Sequence, residues 1–328
     1  MLISMFSAVE SGMIYALMAL GVYLSFRILD FPDLTVDGSF VTGGAVAAIS
    51  IVNGVPPIIA TFYAIIAGFL AGMVTGILNT KGKINPLLSG ILMMIALYSI
   101  NLRIMGKPNV ALLNEPTLFN QLEGIWEALG IDAFFNGILT TLGADRLPGT
   151  WVVLIVMIFI TFIIKFITDY FLKTEVGLAL RATGDNEKMI RSFSANTDTL
   201  TIVGLGISNA LVALSGALVA QYSGFTDVNM GIGMIVIGLA SVIIGEAIFG
   251  TKTIARTTLA VIGGAIVYRI VLTLALKVKF LETGDAKLIT AVIVIIALIA
   301  PKLIKANKEK RRKKKRAMLS SGMGDNHA

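Results

Sequence analysis

The sequence lacks cysteine altogether, has a single histidine and is poor in charged residues. Without cysteine there are no disulfides, thiolate metal ligands or thiol nucleophiles, and the one histidine, His327, lies beside the carboxyl terminus. Charged residues make up 14% of the chain, whereas a soluble domain has roughly 25%. These absences argue against a soluble globule. They also exclude most enzyme chemistry, so no catalytic residue, metal site or cofactor is predicted.

Hydrophobic residues, in contrast, make up 56% of the 328 residues, and the mean hydropathy is +0.86. A helix needs about 20 mostly apolar residues to span a bilayer. The apolar runs therefore predict an all-α fold, a polytopic membrane helical bundle with about nine spans, eight to ten being consistent with the sequence. Candidate spans lie near 6–26, 39–53, 56–79, 86–105, 150–172, 199–222, 232–250, 257–276 and 286–304. The glycine-rich segment 232–250 has a broken or re-entrant helix as an alternative.

The third candidate span carries small residues at helical spacing, Ala64, Gly68, Gly72 and Gly76. One face of this helix is therefore predicted to lie close against another helix.

Lysine and arginine in short loops predict the orientation of the bundle, because such residues favour the cytoplasmic side. With nine spans, the basic loops after the third, fifth and seventh spans share one side with the end of the ninth. That side is predicted to be cytoplasmic, with the amino terminus outside. The acidic loop 106–149 is predicted to be external, and its segment 121–135 to form a short helix at the membrane interface.

Residues 302–316 contain ten Lys/Arg and one Glu, a net charge of +9, whereas the whole chain carries +7, so the basic character of the protein is concentrated there. Because this run directly follows an apolar segment, it favours a cytoplasmic anchor attracted to anionic lipid over a nucleic-acid-binding segment. The predicted division is a transmembrane domain over residues 1–301 and a basic cytoplasmic tail over 302–328, which is expected to be disordered.

The longest polar interval on the predicted inner side spans residues 173–197. Thr183 has the pattern of a capping residue, with Gly184 and the acids Asp185 and Glu187 behind it. The pattern indicates a short helix lying across the cytoplasmic face, where a soluble partner can bind it. A plain solvated loop is the alternative.

Two blocks of sequence resemble a known family. GLALRATGDNEKMIRSFSANTDTLTIVGLGISNALVALSGALVAQYSG, residues 177–224, and the glycine-rich region after it look like the permease subunit of bacterial ABC importers of the branched-chain amino acid and ribose group. The resemblance runs from about Ser11 to Pro301. RILDFPDLTVDGSFVTGG, residues 27–44, is similar to the branch described as tryptophan/tyrosine importers. It replaces the Asn-Phe-Ala-His-Gly-like core of the branched-chain branch, which argues against a branched-chain substrate.

The resemblance implies a multi-pass protein of the bacterial cytoplasmic membrane that translocates a small solute, with an aromatic amino acid favoured. The partners that it implies are an ATP-binding subunit, an extracytoplasmic substrate-binding (lipo)protein and a second permease copy, which is expected to be identical. Membrane lipids are also expected to bind, and nucleic acid is not. The ATPase would be a separate chain, because the sequence has no Walker A motif. The residues predicted to couple this chain to it are Arg181, Ala182, Thr183, Gly184, Asp185, Asn186, Glu187 and Met189.

Polar residues within the later spans are candidates for the translocation pathway: Ser208, Asn209, Ser215 and Glu246. For the three residues of the sixth span, hydrogen bonds between helices are an equal alternative. For Glu246, an ion pair with a neighbouring arginine or exposure at the cytoplasmic end is an equal alternative.

The carboxylates Asp30, Asp33 and Asp37 lie within eight residues and leave two interpretations open. They can meet a cation or a substrate ammonium, or they can cap a helix in a solvated turn. The second interpretation is favoured, because this stretch is predicted to be cytoplasmic and away from the membrane midplane, where transporter sites usually lie.

Two other classes of function compete with the importer permease. An ion-coupled secondary transporter would show paired buried carboxylates and repeated halves with broken helices, but the buried acids are few and no convincing repeat is present. An intramembrane enzyme would need a nucleophile with a base or a metal, for which no spacing is found.

Overall fold

The computed structural model describes residues 2–128, 130–141, 147–192, 196–277, 288–296 and 299. Its helices are α1 (Leu2–Tyr23), α2 (Thr35–Val52), α3 (Pro57–Thr80), α4 (Pro86–Met105), α5 (Leu118–Ala128), α6 (Ile131–Thr141), α7 (Val152–Phe171), α8 (Glu175–Ser192), α9 (Thr197–Ser223), α10 (Met234–Phe249), α11 (Ile254–Ala275) and α12 (288–296). The strands are β1 (Asn109–Ala111) and β2 (Phe225–Asp227). A π-helical turn, Leu24–Ile28, continues α1. The predicted tail, 302–328, lies outside the described residues.

The all-α polytopic bundle predicted from the sequence is confirmed. In the described part of the chain, seven helices are long and apolar enough to cross a membrane, namely α1, α2, α3, α4, α7, α9 and α11. α10 falls in the glycine-rich candidate span but has only 16 residues. α12 falls in the last candidate span, 286–304, whose other residues lie outside the described ranges except 299.

α9 lies at the centre of the bundle and is packed closely by α1, α2 and α3. The small-residue face of α3 lies against it, as predicted. A Cβ atom added to Gly72 would be 2.1 Å from the carbonyl oxygen of Leu205, and one added to Gly68 would be 2.5 Å from that of Asn209. The glycines therefore allow the two backbones to approach more closely than any side chain would permit.

The basic loops gather at one end of the bundle, here called the basic end. Two cavities of about 460 and 450 Å³ open there, between α8 and the loops that follow α1, α3 and α10. Residues from all four segments line them: Arg27, Asp30, Lys83, Arg181 and Lys252. This grouping agrees with the prediction that these loops share one side of the membrane.

The opposite end carries the segment that was predicted to be external. β1, which follows α4, pairs antiparallel with β2, which follows α9. The indole of Trp126 in α5 and the backbone N–H of Trp151, beside α7, donate hydrogen bonds to the Asp132 carboxylate in α6, at 3.0 and 2.9 Å. The segment expected to form one interfacial helix thus forms two short helices, tied together by a carboxylate.

Candidate functional site

α8 forms the predicted polar helix at the basic end, but it begins earlier than the sequence pattern indicated. Glu175 lies in its first turn and Arg191 in its last, which complements the helix dipole. The helix is kinked at Asn186, whose φ is −160° and ψ is 88°. The side chain of Asn186 caps the second half by accepting the N–H of Met189 at 3.1 Å. The prediction that Thr183 is the cap was wrong, because its hydroxyl donates back to the carbonyl of Ala179.

The inner face of α8 is seated on the membrane helices. Leu180 and Thr183 are buried, and Gly184 lies against the end of α1. A Cβ atom on Gly184 would be 2.0 Å from the carbonyl oxygen of Ile28. Leu29 and Leu180 both meet Gly204 of α9. α8 therefore packs directly on the ends of α1 and α9.

The outer face of α8, here called the outer α8 surface, presents charged and apolar side chains together. Of the predicted coupling residues, Arg181 lines the smaller cavity, Ala182 is half-buried, and four are exposed: Asp185, Asn186, Glu187 and Met189. Val176, Leu178 and Met189 are each about half exposed. Exposed apolar groups with charges around them match an interface that has an apolar core and a polar rim.

Arg191 ties the second half of α8 to the start of α9. Its guanidinium donates to the hydroxyl of Thr197 and to the carboxylate of Asp198, both at 2.9 Å, and pairs with Glu187 at 2.9 Å. Both halves of α8 are thus fixed to the membrane domain, the first by packing and the second by hydrogen bonds.

Glu246, one of the pathway candidates, forms an ion pair with Arg27. Nε of Arg27 donates to Oε1 of Glu246 at 2.9 Å, and a second contact joins the same two groups. The pair closes one wall of the cavity that Arg181 of α8 also lines. It therefore holds the end of α10 to the π-helical turn after α1, directly beside α8.

Sequence reasoning missed Arg27 as a site residue. The available signal was a pair of opposite charges near the ends of two apolar runs, but the loop charges alone do not say which spans are neighbours.

The polar side chains of α9 make contacts inside the protomer. Ser208 donates to the carbonyl of Gly21 at 2.7 Å and Ser215 to that of Ile14 at 2.8 Å, while the amide of Asn209 donates to Asp33 at 2.7 Å. All three are fully buried. The bonds of Ser208 and Ser215 join α9 to α1, whereas that of Asn209 joins α9 to the loop before α2. A role for the three residues in the pathway stays a prediction.

Comparison with known proteins gives a family. A model described as "Branched-chain amino acid transport system / permease component" matches residues 4–299. A "Tyrosine transport system permease protein" of Clostridioides difficile (strain R20291) is 45% identical over 294 residues, 90% of each chain. "Uncharacterized protein RP368" of Rickettsia prowazekii is 34% identical over 300 residues, 90% of this chain and 97% of that one. The high-affinity branched-chain amino acid permease LivH of Salmonella typhimurium is 27% identical over 247 residues, 69% of this chain and 73% of that one.

Proposed function

The chain belongs to the branched-chain amino acid transport system permease family, and from this premise we propose that it is the membrane-spanning subunit of an ATP-binding cassette importer for an aromatic amino acid, tyrosine first. The observation that carries the choice of cargo is the identity with the tyrosine permease, which extends over nine-tenths of both chains. The block at residues 27–44, which departs from the branched-chain pattern, supports the same choice.

The outer α8 surface is the proposed contact with the ATP-binding subunit. The chain has no Walker A motif, so nucleotide hydrolysis belongs to another protein. Asp185, Asn186, Glu187 and Met189 are exposed on this surface and contact the partner, whereas Thr183 and Gly184 seat the helix on the membrane domain. Movement of the partner is then passed through α8 to α1 and α9.

The basic end is the proposed cytoplasmic end, because lysine and arginine in short loops favour that side. An extracytoplasmic binding protein delivers the amino acid to the opposite end, which carries α5, α6 and the β1–β2 pair. Two identical permease copies enclose the pathway. The basic tail, 302–328, contacts anionic lipid at the cytoplasmic face.

The proposed function is tested with the complete assembly reconstituted in proteoliposomes. Labelled tyrosine should accumulate only with ATP and the binding protein, and independently of a proton or sodium gradient. Accumulation that follows an ion gradient without ATP would instead identify an ion-coupled secondary transporter.

The contact surface is tested by Asp185→Lys, which reverses an exposed charge. We expect co-purification with the ATP-binding subunit and substrate-stimulated hydrolysis to fall by about tenfold, equivalent to about 1.4 kcal/mol, because a longer side chain of opposite charge is placed within the proposed contact. Glu127→Lys, an exposed charge reversal on α5 at the opposite end, is the matched control and should leave ATPase binding unchanged. Normal hydrolysis by Asp185→Lys would show that the contact lies elsewhere.

The ion pair at the basic end is tested by exchanging its charges. Glu246→Arg should slow tyrosine uptake several-fold, because two arginines would then repel where α10 meets α1. Exchanging both residues, Arg27→Glu with Glu246→Arg, should restore most of the rate. The Arg27 side chain is 56% exposed but that of Glu246 is only 13% exposed, so the pair is not a fully solvated one. Thermal stability should therefore recover together with uptake in the double variant, and equal slowing of uptake in the single and double variants would contradict the pairing.

A further inference from the structure

The chain between α9 and α10 enters the bundle without forming a helix. Residues 228–233 form turns that follow β2. Thr226 lies against Gly44 of α2, and a Cβ atom on Gly231 would be 2.0 Å from the carbonyl oxygen of Asp37 in the same helix. Seven residues of helix separate these two points, so the re-entrant segment, residues 225–233, descends about 10 Å along α2.

The lower end of this segment lies inside the membrane domain. The hydroxyls of Thr35 and Thr75 share a hydrogen bond of 2.7 Å, which joins the first turn of α2 to α3. Thr75 precedes the end of α3 by five residues, or about 7 Å along the helix. The first turn of α2, with Asp37, thus begins within the thickness of the bundle. This corrects the expectation that the whole stretch from Asp30 to Asp37 lies at the cytoplasmic face.

Irregular backbone at this depth restricts what can surround it. Non-helical backbone is tolerated within a membrane only where protein buries it or where it lines a water-filled cavity. Asn229 and Ile232 of the re-entrant segment are exposed in the protomer. In the proposed arrangement of two permease copies around the pathway, these residues face its aqueous space, and a helix that starts inside the membrane domain beside such a space is typical of transporter substrate sites.

Asp37 places a carboxylate at this point. Its two oxygens accept the N–H groups of Gly233 and Ile235, both at 2.8 Å, and so cap the start of α10. The carboxylate also lines an adjoining cavity, where its negative charge attracts a cation such as an ammonium group. The other two carboxylates of this stretch have different surroundings. Asp30 is exposed at the basic end, and Asp33 is fully buried against Thr35 and Asn209.

A cavity of about 660 Å³ opens beside Asp37, between α2, α4 and the re-entrant segment. Its volume lies within the range of roughly 300–1,000 Å³ that is usual for small-molecule sites. Most of the lining is apolar, with Met94, Ile95, Tyr98 and Ser99 of α4 on one wall and Ile232 on another. Such walls suit an aromatic ring, which packs favourably against tyrosine and methionine.

We propose that this cavity is the site where the amino acid passes through the membrane domain, with its aromatic ring against Met94, Ile95 and Tyr98 and its ammonium group at Asp37. The site rests on the proposed function, since it takes the aromatic amino acid as its occupant. It gives the permease a contact with the side chain of the cargo in addition to the selection made by a binding protein.

The absence of cysteine allows a direct test, because any introduced thiol is the only one in the chain. Ser99→Cys and Ile232→Cys place thiols on two walls of the cavity, and Ile163→Cys, at an exposed position of the apolar span α7 that does not line the cavity and is expected to face lipid, is the control. In the reconstituted assembly with binding protein and ATP, a charged methanethiosulfonate reagent should modify the two cavity thiols but not the control. Tyrosine present during turnover should slow that modification several-fold.

The variant Asp37→Asn, made in the Ser99→Cys background, tests the contact with the ammonium group independently of the existence of the cavity. The thiol should stay reactive, whereas protection by tyrosine should be lost. Protection that persists in this variant would overturn the role of Asp37. Thiols that do not react, as in a lipid-filled groove, or that react equally with and without tyrosine, would overturn the site.

The two proposals fail in different ways. If the unmodified assembly imports tyrosine but the cavity thiols are unprotected, the site is wrong and the function stands. If the unmodified assembly imports no aromatic amino acid, the proposed function is wrong and the occupant assigned to the cavity is wrong with it.

Discussion

Replacing Gly72 by leucine is expected to prevent stable assembly of the membrane domain. A Cβ atom at this position would be 2.1 Å from the carbonyl oxygen of Leu205 and 2.9 Å from Cβ of Asn209. The nearest atom belongs to the backbone, which no rotamer change can move, so α3 and α9 must separate along their length. Overpacking a core typically costs about 1–3 kcal/mol, and a clash between two helix backbones should exceed the upper figure.

The measurement is the yield of monodisperse protein after detergent extraction, together with its thermal stability. Gly137→Leu is the matched control, since Gly137 is also helical but has open space where a Cβ atom would lie. We expect near-complete loss of folded protein for Gly72→Leu and nearly unchanged yield for the control. Equal yields would mean that α3 and α9 are not in contact through this face.

Replacing Gly184 by leucine is expected to abolish transport while leaving the transmembrane fold intact. The carbonyl of Ile28 lies where the new side chain would begin, so α8 must lift from the ends of α1 and α9. Motion of the ATP-binding subunit would then no longer reach the membrane helices. ATP-dependent tyrosine uptake should fall to background, a loss of at least about a hundredfold, or about 2.7 kcal/mol of coupling. Hydrolysis should no longer respond to substrate.

Gly124→Leu on α5 provides the control, because nothing lies within 4 Å of a Cβ atom at that helical position. Extraction yield and thermal stability should be similar for both variants, which separates uncoupling from misfolding. Uptake at the normal rate by Gly184→Leu would contradict the seating of α8 on α1.

The position of α8 could be predicted in part from the sequence. A polar interval between two apolar spans predicted a helix at the basic end, and the structure has one. The residue that caps it could not be predicted, because Thr183 and Asn186 both have capping side chains. Only the kink at Asn186 and the burial of Thr183 against the membrane helices distinguish them.

Asp30, Asp33 and Asp37 show more clearly what the sequence could not predict. Three carboxylates within eight residues look equivalent in the sequence, yet one is exposed, one is buried and one caps a helix almost two hundred residues further along the chain. Loop chemistry near Pro32 predicted a turn there. It could not predict that the chain turns back inside the bundle.

The sequence by itself determined that this protein is a multi-pass helical bundle, which loops share a side and which face of α3 packs closely. Each of these follows from local composition and from helical periodicity, and both can be read from residues close together in the sequence. The tertiary structure alone decided that Arg27 pairs with Glu246, that Gly184 faces inward and that Asp37 lies beside a cavity. These depend on which helices become neighbours. The neighbours are set by close backbone packing between segments that lie far apart in the chain.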